Sequence, residues 1–279
     1  MSQMDEPGNS IMKNFTSDVY RFSFKSKVAL ILTTIFAGFG FTWPFFTSDL
    51  ESASFAQFFF WIAMPLAFLL LVSLLSDKNL DAKSVALLGI LAALLAALRP
   101  LGAGAVGLEP MWFLLILAAR VFGSAFGFLL GVTGMLTSAI FTGGVGPWLS
   151  YQVFAAGLIG LFAGAIFPSV RGRIELLILV FVSIASALLF GLLMDLQFWP
   201  WALGTDTQLS FIPGAEISTN LHRFVIFHLL SSMAWDIPRA IVTSALVVFT
   251  GPPVLFALRR AKVKAAFLTP VEFSERVKE

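Results

Sequence analysis

The chain contains no cysteine, only two histidines and two tyrosines, and charged residues make up just 12% of it. Without cysteine there are no disulfides, no thiolate metal sites and no cysteine nucleophile. A soluble domain carries about 25% charge, so this composition argues against a free-standing globular domain. No G-x-x-x-x-G-K-[ST] occurs anywhere, so ATP is not hydrolysed at a P-loop of this chain. Gly102 to Gly107 matches G-x-G-x-x-G, but a helix and Pro100 precede it and Glu109 follows far too closely for a ribose-binding acid. Nucleotide binding is therefore not expected there. The two histidines, His222 and His228, have no Cys or carboxylate at metal-ligand spacing, so no metal is expected. The sequence around Ser124, GSAFG, departs from G-x-S-x-G, and no catalytic residue is expected. The net charge of +2 gives no sign of nucleic-acid binding.

What the chain has instead is apolar length: 58% of its 279 residues are hydrophobic, with a mean hydropathy of +0.90. Uninterrupted runs of membrane-spanning size predict an all-α integral membrane protein. The first 27 residues are polar and lack a signal-peptide pattern, so they are expected to remain. Runs at Val28–Phe46 and Phe55–Leu75 come next, separated by a loop with Asp49 and Glu51. The polar break SDKNLDAK at 76–83 divides the chain. The expected units are an N-terminal extension with two spans (1–78), a core (79–265) and a tail (266–279). Within the core, spans are expected at Ser84–Arg99, Met111–Phe122, Ala125–Thr142, Leu149–Phe167, Ile174–Phe198 and Ile237–Leu258. Met111–Phe122 covers only about 18 Å as a helix, barely enough to cross a bilayer core. Leu221–Trp235 reads as a surface or re-entrant helix, continuous with the last span or broken from it at Pro238, and Asp236 as the N-cap of that span.

Orientation follows from the cations. With both termini cytoplasmic, 15 of the 18 Lys and Arg fall on the inner side, leaving Arg99, Arg223 and Arg239 outside. All seven Trp then lie in the outer half: Trp43, Trp61, Trp112, Trp148, Trp199, Trp201 and Trp235. They are either an interfacial belt or the lining of an outward-facing cavity. Two glycine loops, 101–108 and 143–148, share that side and would act as a gate or as plain turns. Arg99, Glu109, Asp195, Asp236 and Arg239 also gather there. Charges near the membrane are retained for a reason. Asp236 and Arg239, three apart, either pair to anchor the last helix or join Gln152 and Gln197 in contacting a polar ligand.

One helix stands out for having little bulk. Ala82, Ala86, Gly89 and Ala93 repeat at helical spacing, with Ala92 and Ala96 as a second row. Such a face allows close backbone approach, which drives helix association in lipid. It packs either within the bundle or against another subunit.

Several stretches resemble the substrate-binding S components of energy-coupling factor (ECF) transporters. These are ALLGILAALLAALRPLGAG, EPMWFLLILAARVFGSAFGFLLG, FTGGVGPWLSYQ and SMAWDIPRAIVTSALVVFTGPPVLFALRRA, together covering most of residues 80–262. The resemblance implies a six-helix core in a bacterial plasma membrane, with both ends cytoplasmic and outer loops closing over a vitamin-like small molecule. It implies no catalytic residues and no cofactor. It also implies that a small-residue face, here Ala82, Ala86, Gly89 and Ala93 or else the Ala92/Ala96 row, docks on a transmembrane T component driven by two separate ATPase subunits. The ligand contacts expected are Arg99, Glu109, Trp112, Trp148, Gln152, Asp195, Gln197, Trp235, Asp236 and Arg239. The two spans before residue 78 depart from the six-helix pattern. A stand-alone secondary transporter or channel for a small organic solute is the alternative, although no internal repeat is evident.

Overall fold

The computed structural model describes residues 22–46, 82–102, 106–166, 170–203 and 207–264. The expected second span, Phe55–Leu75, lies outside these residues, as do Trp61, the loop acids Asp49 and Glu51, and the tail 266–279. Among the described residues there are eight α-helices and no strand. They are α1 (Phe24–Thr42), α2 (Ala82–Leu98), α3 (Met111–Phe122), α4 (Ser124–Thr142), α5 (Leu149–Ala165), α6 (Arg173–Ala202), α7 (Ile217–Ser231) and α8 (Met233–Lys264). Short 3-10 turns extend α1 over Trp43–Phe45 and α2 over Arg99–Gly102.

Five helical segments are long and apolar enough to cross a membrane: Phe24–Phe45, Ala82–Gly102, Ser124–Thr142, Arg173–Ala202 and Met233–Lys264. The apolar helices α3 and α5 are shorter. The chain is thus an all-helical, multi-pass membrane protein. Inside these helices the hydroxyls of Thr33, Thr34, Thr133, Ser183 and Thr250 donate to the carbonyl four residues back, which satisfies them without water.

The short helix α3 is the centre of the bundle. Eleven of its 12 residues are buried, and it packs on α4, α5, α8, α6 and α2. Its limited length is therefore no mismatch with lipid, because neighbouring helices rather than lipid surround its ends. Gly123, at φ 102°, reverses the chain between α3 and α4 with no further loop residue. Only glycine adopts that backbone without strain.

The closest helix pair is α4 on α5. A Cβ on Gly127 would strike the Gly160 carbonyl, one on Gly131 the Ala156 carbonyl, and one on Gly164 the Ser124 backbone. Small residues four apart on each helix bring the two backbones into contact, the arrangement that stabilises helix pairs in lipid. Two turns along α4 from Gly127, Leu95 of α2 fills the notch left by Gly134.

The ends of α6 and α8 depart from expectation. Helix α6 continues to Ala202, so Trp199 and Trp201 belong to a helix rather than to a connection. Helix α8 starts at Met233 and runs through Pro238 without a break. The chain turns instead at Ser232, between α7 and α8. Pro238 is the sixth residue of α8 and costs it one internal N–H, and the helix continues through it as it does through Pro252 and Pro253, a tolerance membrane helices show where neighbouring groups re-satisfy the freed backbone. Asp236 is therefore not an N-cap: it sits within the first turn of α8, with its carboxylate fully buried. Helix α7 is only half-buried, through Asn220, Phe224 and Phe227, and lies beside the aromatic end of the bundle.

Candidate functional site

The two ends of the bundle differ in chemistry. At one end Lys262 Nζ donates to the Val121 carbonyl, while Arg120 and Arg259 both reach Glu175. At the other, Trp199 is wholly buried among Phe45, Phe211 and Phe224, and its Nε1 donates to the Leu209 carbonyl. Trp43 packs there against Trp201 and Phe211. The polar residues expected to contact a ligand lie at this aromatic end, in three groups.

The first group is held by Arg99 in the turn that ends α2. Its guanidinium donates to Gln152 Oε1 on α5 at 3.2 Å and to Ser138 Oγ on α4 at 3.4 Å. Three helices are tied by one side chain.

The second group centres on Arg239 of α8. Its Nε donates to Glu109 Oε2 at 2.9 Å and its NH1 to Asp236 Oδ1 at 2.6 Å. Trp112 Nε1 donates to the same Glu109 oxygen at 2.6 Å, and Ser232 Oγ donates to Asp236 Oδ2 at 2.7 Å. The guanidinium lies over the Phe190 ring, 5.0 Å from its centroid, and Trp112 packs against the same ring with centroids 4.6 Å apart. Gly191 leaves room for the Asp236 carboxylate, since a Cβ there would overlap both of its oxygens. Gly107, at φ 69°, seats the glycine loop against the Trp235 carbonyl and Pro238 at the start of α8.

The third group joins α6 to α7. Asp195 Oδ2 pairs with His228 Nδ1 at 2.9 Å and accepts from Ser231 Oγ at 3.2 Å. Helix α6 carries Gly191 and Asp195 four apart on one side, with Phe190 next to Gly191, so it is the spine of the second and third groups.

The expected contacts are thus gathered at one end, but mostly onto one another. Glu109, Trp112, Asp236 and Arg239 form one network, Arg99 and Gln152 a second, and Asp195 lies in a third. Trp148 and Trp235 are half exposed, and Gln197 is half-buried two residues beyond Asp195. The Asp236–Arg239 pair does anchor the start of the last helix, one of the two roles expected for it. His228 has a carboxylate partner after all, 33 positions away, a separation no local spacing reveals. Ser138, Ser231, Ser232 and Gly191 carried no signal of their own in the sequence. The two glycine loops have different neighbours: Gly107 of the first lies against the start of α8, while Gly146 of the second packs against its own Trp148. Ser124 begins α4 at the basic end, opposite both histidines. Among the described residues no three His, Asp or Glu converge as metal ligands would.

A second surface is formed by α2. Ala82, Ala86, Gly89 and Ala93 are all exposed, and a Cβ on Gly89 would meet nothing. Ala92 and Ala96 are buried with Leu88, Leu91 and Leu95, on the face toward α4. The first row is therefore exposed, and the second, on an adjoining face, is buried.

These features define a class, a polytopic helical membrane protein with a polar cluster at one end and a smooth exposed helix face. No protein-family model, curated protein or solved structure matches the chain.

Proposed function

We propose that this protein is the membrane-embedded substrate-binding subunit of an ECF-type importer. In this reading it captures a vitamin-like micronutrient at its aromatic end, outside a bacterial plasma membrane. It delivers that ligand through a T component driven by two separate ATPases. The observation that carries the reading is the two-sided α2: one small-residue row is spent inside the bundle, and the other, Ala82, Ala86, Gly89 and Ala93, is left exposed for a partner helix. The same helix ends at Arg99 among the polar groups, so it would touch the T component below and the ligand region above. Both termini are cytoplasmic in this reading, because the basic end then faces inward.

The three polar groups hold three carboxylates, Glu109, Asp195 and Asp236, against two guanidiniums, Arg99 and Arg239. One of the three carboxylates is therefore unmatched by a guanidinium. A ligand that brings hydrogen-bond donors or a cationic group suits it best.

The test separates binding from transport. Ala86→Trp and Ala93→Trp should abolish uptake in cells while the purified variants still bind ligand. Normal uptake by either variant would place the docking face elsewhere.

A stand-alone carrier is the second reading. The Asp195–His228 pair near the membrane boundary favours it, since such pairs serve as proton relays in carriers. Uptake into liposomes holding this chain alone, driven by a pH gradient, would decide for it.

A further inference from the structure

The basic end holds a second site-like cluster. Glu175, in the first turn of α6, is buried, and its Oε1 faces three guanidiniums. Arg120 Nε lies at 2.8 Å, Arg259 NH2 at 2.6 Å and Arg171 NH1 at 3.6 Å. Arg120 is consumed by the fold: it is buried, and it also donates to the Ile166 and Val170 carbonyls. Arg171 and Arg259 differ, with side chains 39% and 23% exposed. Among the described residues one carboxylate faces these three guanidiniums, so this cluster holds two more positive than negative charges. Among the described residues Glu175 is the one acid at this end, while Arg173, Arg260, Lys262 and Lys264 add further positive charge. Burial, together with the neighbouring Arg259 and Arg120 guanidiniums, pushes the Arg171 guanidinium below its ordinary value, and Glu175 only partly offsets this.

Two more observations describe what would relieve the excess. Helix α6 begins here with no side-chain cap, after Gly172, so its first N–H groups add the positive end of a 30-residue helix. From this point Ile174, Leu177 and Phe181 rise along one exposed face of α6. An anion with an apolar tail therefore fits better than a free anion.

We infer that Arg171, Arg259 and the start of α6 form a headgroup site for an anionic phospholipid, whose acyl chains lie along Ile174, Leu177 and Phe181. The phosphate bridges the two outer guanidiniums and neutralises the excess that Glu175 leaves. The lipid would then fasten the Arg171 loop to α8, stabilising the α6–α8 pair from outside.

The full-length protein in detergent tests this by native mass spectrometry and thermal unfolding. The probes are a phosphatidylglycerol and a phosphatidylcholine of identical chains. The phosphatidylglycerol should be retained as an adduct and raise Tm, and the phosphatidylcholine should do neither. Arg171→Gln should weaken phosphatidylglycerol binding about five-fold, and the double variant with Arg259→Gln further. Arg171→Gln leaves Glu175 two partners and so preserves the fold, while Arg223→Gln at the opposite end should leave lipid binding unchanged. Equal retention of the two lipids would overturn the inference, as would unchanged affinity in Arg171→Gln. Equal stabilisation by inorganic phosphate at the same concentration would also overturn it, since the site would then take a soluble anion.

Discussion

Arg239 shows how one residue organises the aromatic end. Its guanidinium lies between two carboxylates, on an aromatic face, with Asp236 0% exposed beneath it. Removing it would strand a buried negative charge, a loss of about 3–5 kcal/mol. Arg239→Ala should therefore lower Tm sharply. Adding Asp236→Asn should recover part of the loss, and a double-mutant cycle on unfolding free energies would read that coupling. Additive losses would mean the pair is not coupled. Arg239→Lys should not rescue stability, because lysine lacks the planar fork that reaches Glu109 and Asp236 together. The sequence exposed this pair through its i, i+3 spacing. It could not expose Glu109, 130 positions away, or the need for Gly191 under the carboxylate, since both depend on how α3 and α6 are brought against α8. The same holds for His228, whose partner Asp195 sits on another helix.

At the scale of elements, two glycine-containing faces play opposite parts. Gly127 and Gly160 hold α4 against α5, so Gly127→Leu or Gly160→Leu should force the helices apart and destabilise by about 1–3 kcal/mol or more. Gly89→Leu adds the same bulk to an open face of α2 and should shift Tm little, within about 0.5 kcal/mol. In the proposed role it should nonetheless impair uptake. Thermal unfolding of the three variants side by side checks this, and a large loss in Gly89→Leu would show that the face is covered within the chain. The small-residue character of α2 was legible in the sequence. Which row turns outward was not, because both rows repeat at helical spacing and only the position of α4 separates them. The tighter α4–α5 seam went unread, although its glycines stand four apart, because its weight comes from the way two helices align. The helix boundary expected at Pro238 is absent because α8 carries Pro238, Pro252 and Pro253 in its interior, each costing one backbone N–H without ending the helix.

For the whole molecule, the polarity of the bundle carries most of the account. Among the described residues most cations lie at one end and the buried tryptophans at the other, and the proposed orientation is drawn from that segregation. The absence of cysteine makes the orientation directly measurable. Single cysteines introduced at Val145 and at Lys264 should respond oppositely to a membrane-impermeant maleimide added to intact cells: Val145→Cys labelled, Lys264→Cys protected until lysis. The reverse pattern would invert the topology and remove the docking face from the cytoplasmic half. The central claim is that this chain binds a solute but depends on a motor made by other chains. The most direct measurement is affinity purification of the tagged protein from its own membranes, beside Ala93→Trp, followed by uptake assays on the reconstituted material. The account predicts that a T component and two ATPases are retained by the native chain and lost from Ala93→Trp, and that uptake requires ATP. Ligand uptake by the chain alone, with no ATPase present, would contradict it.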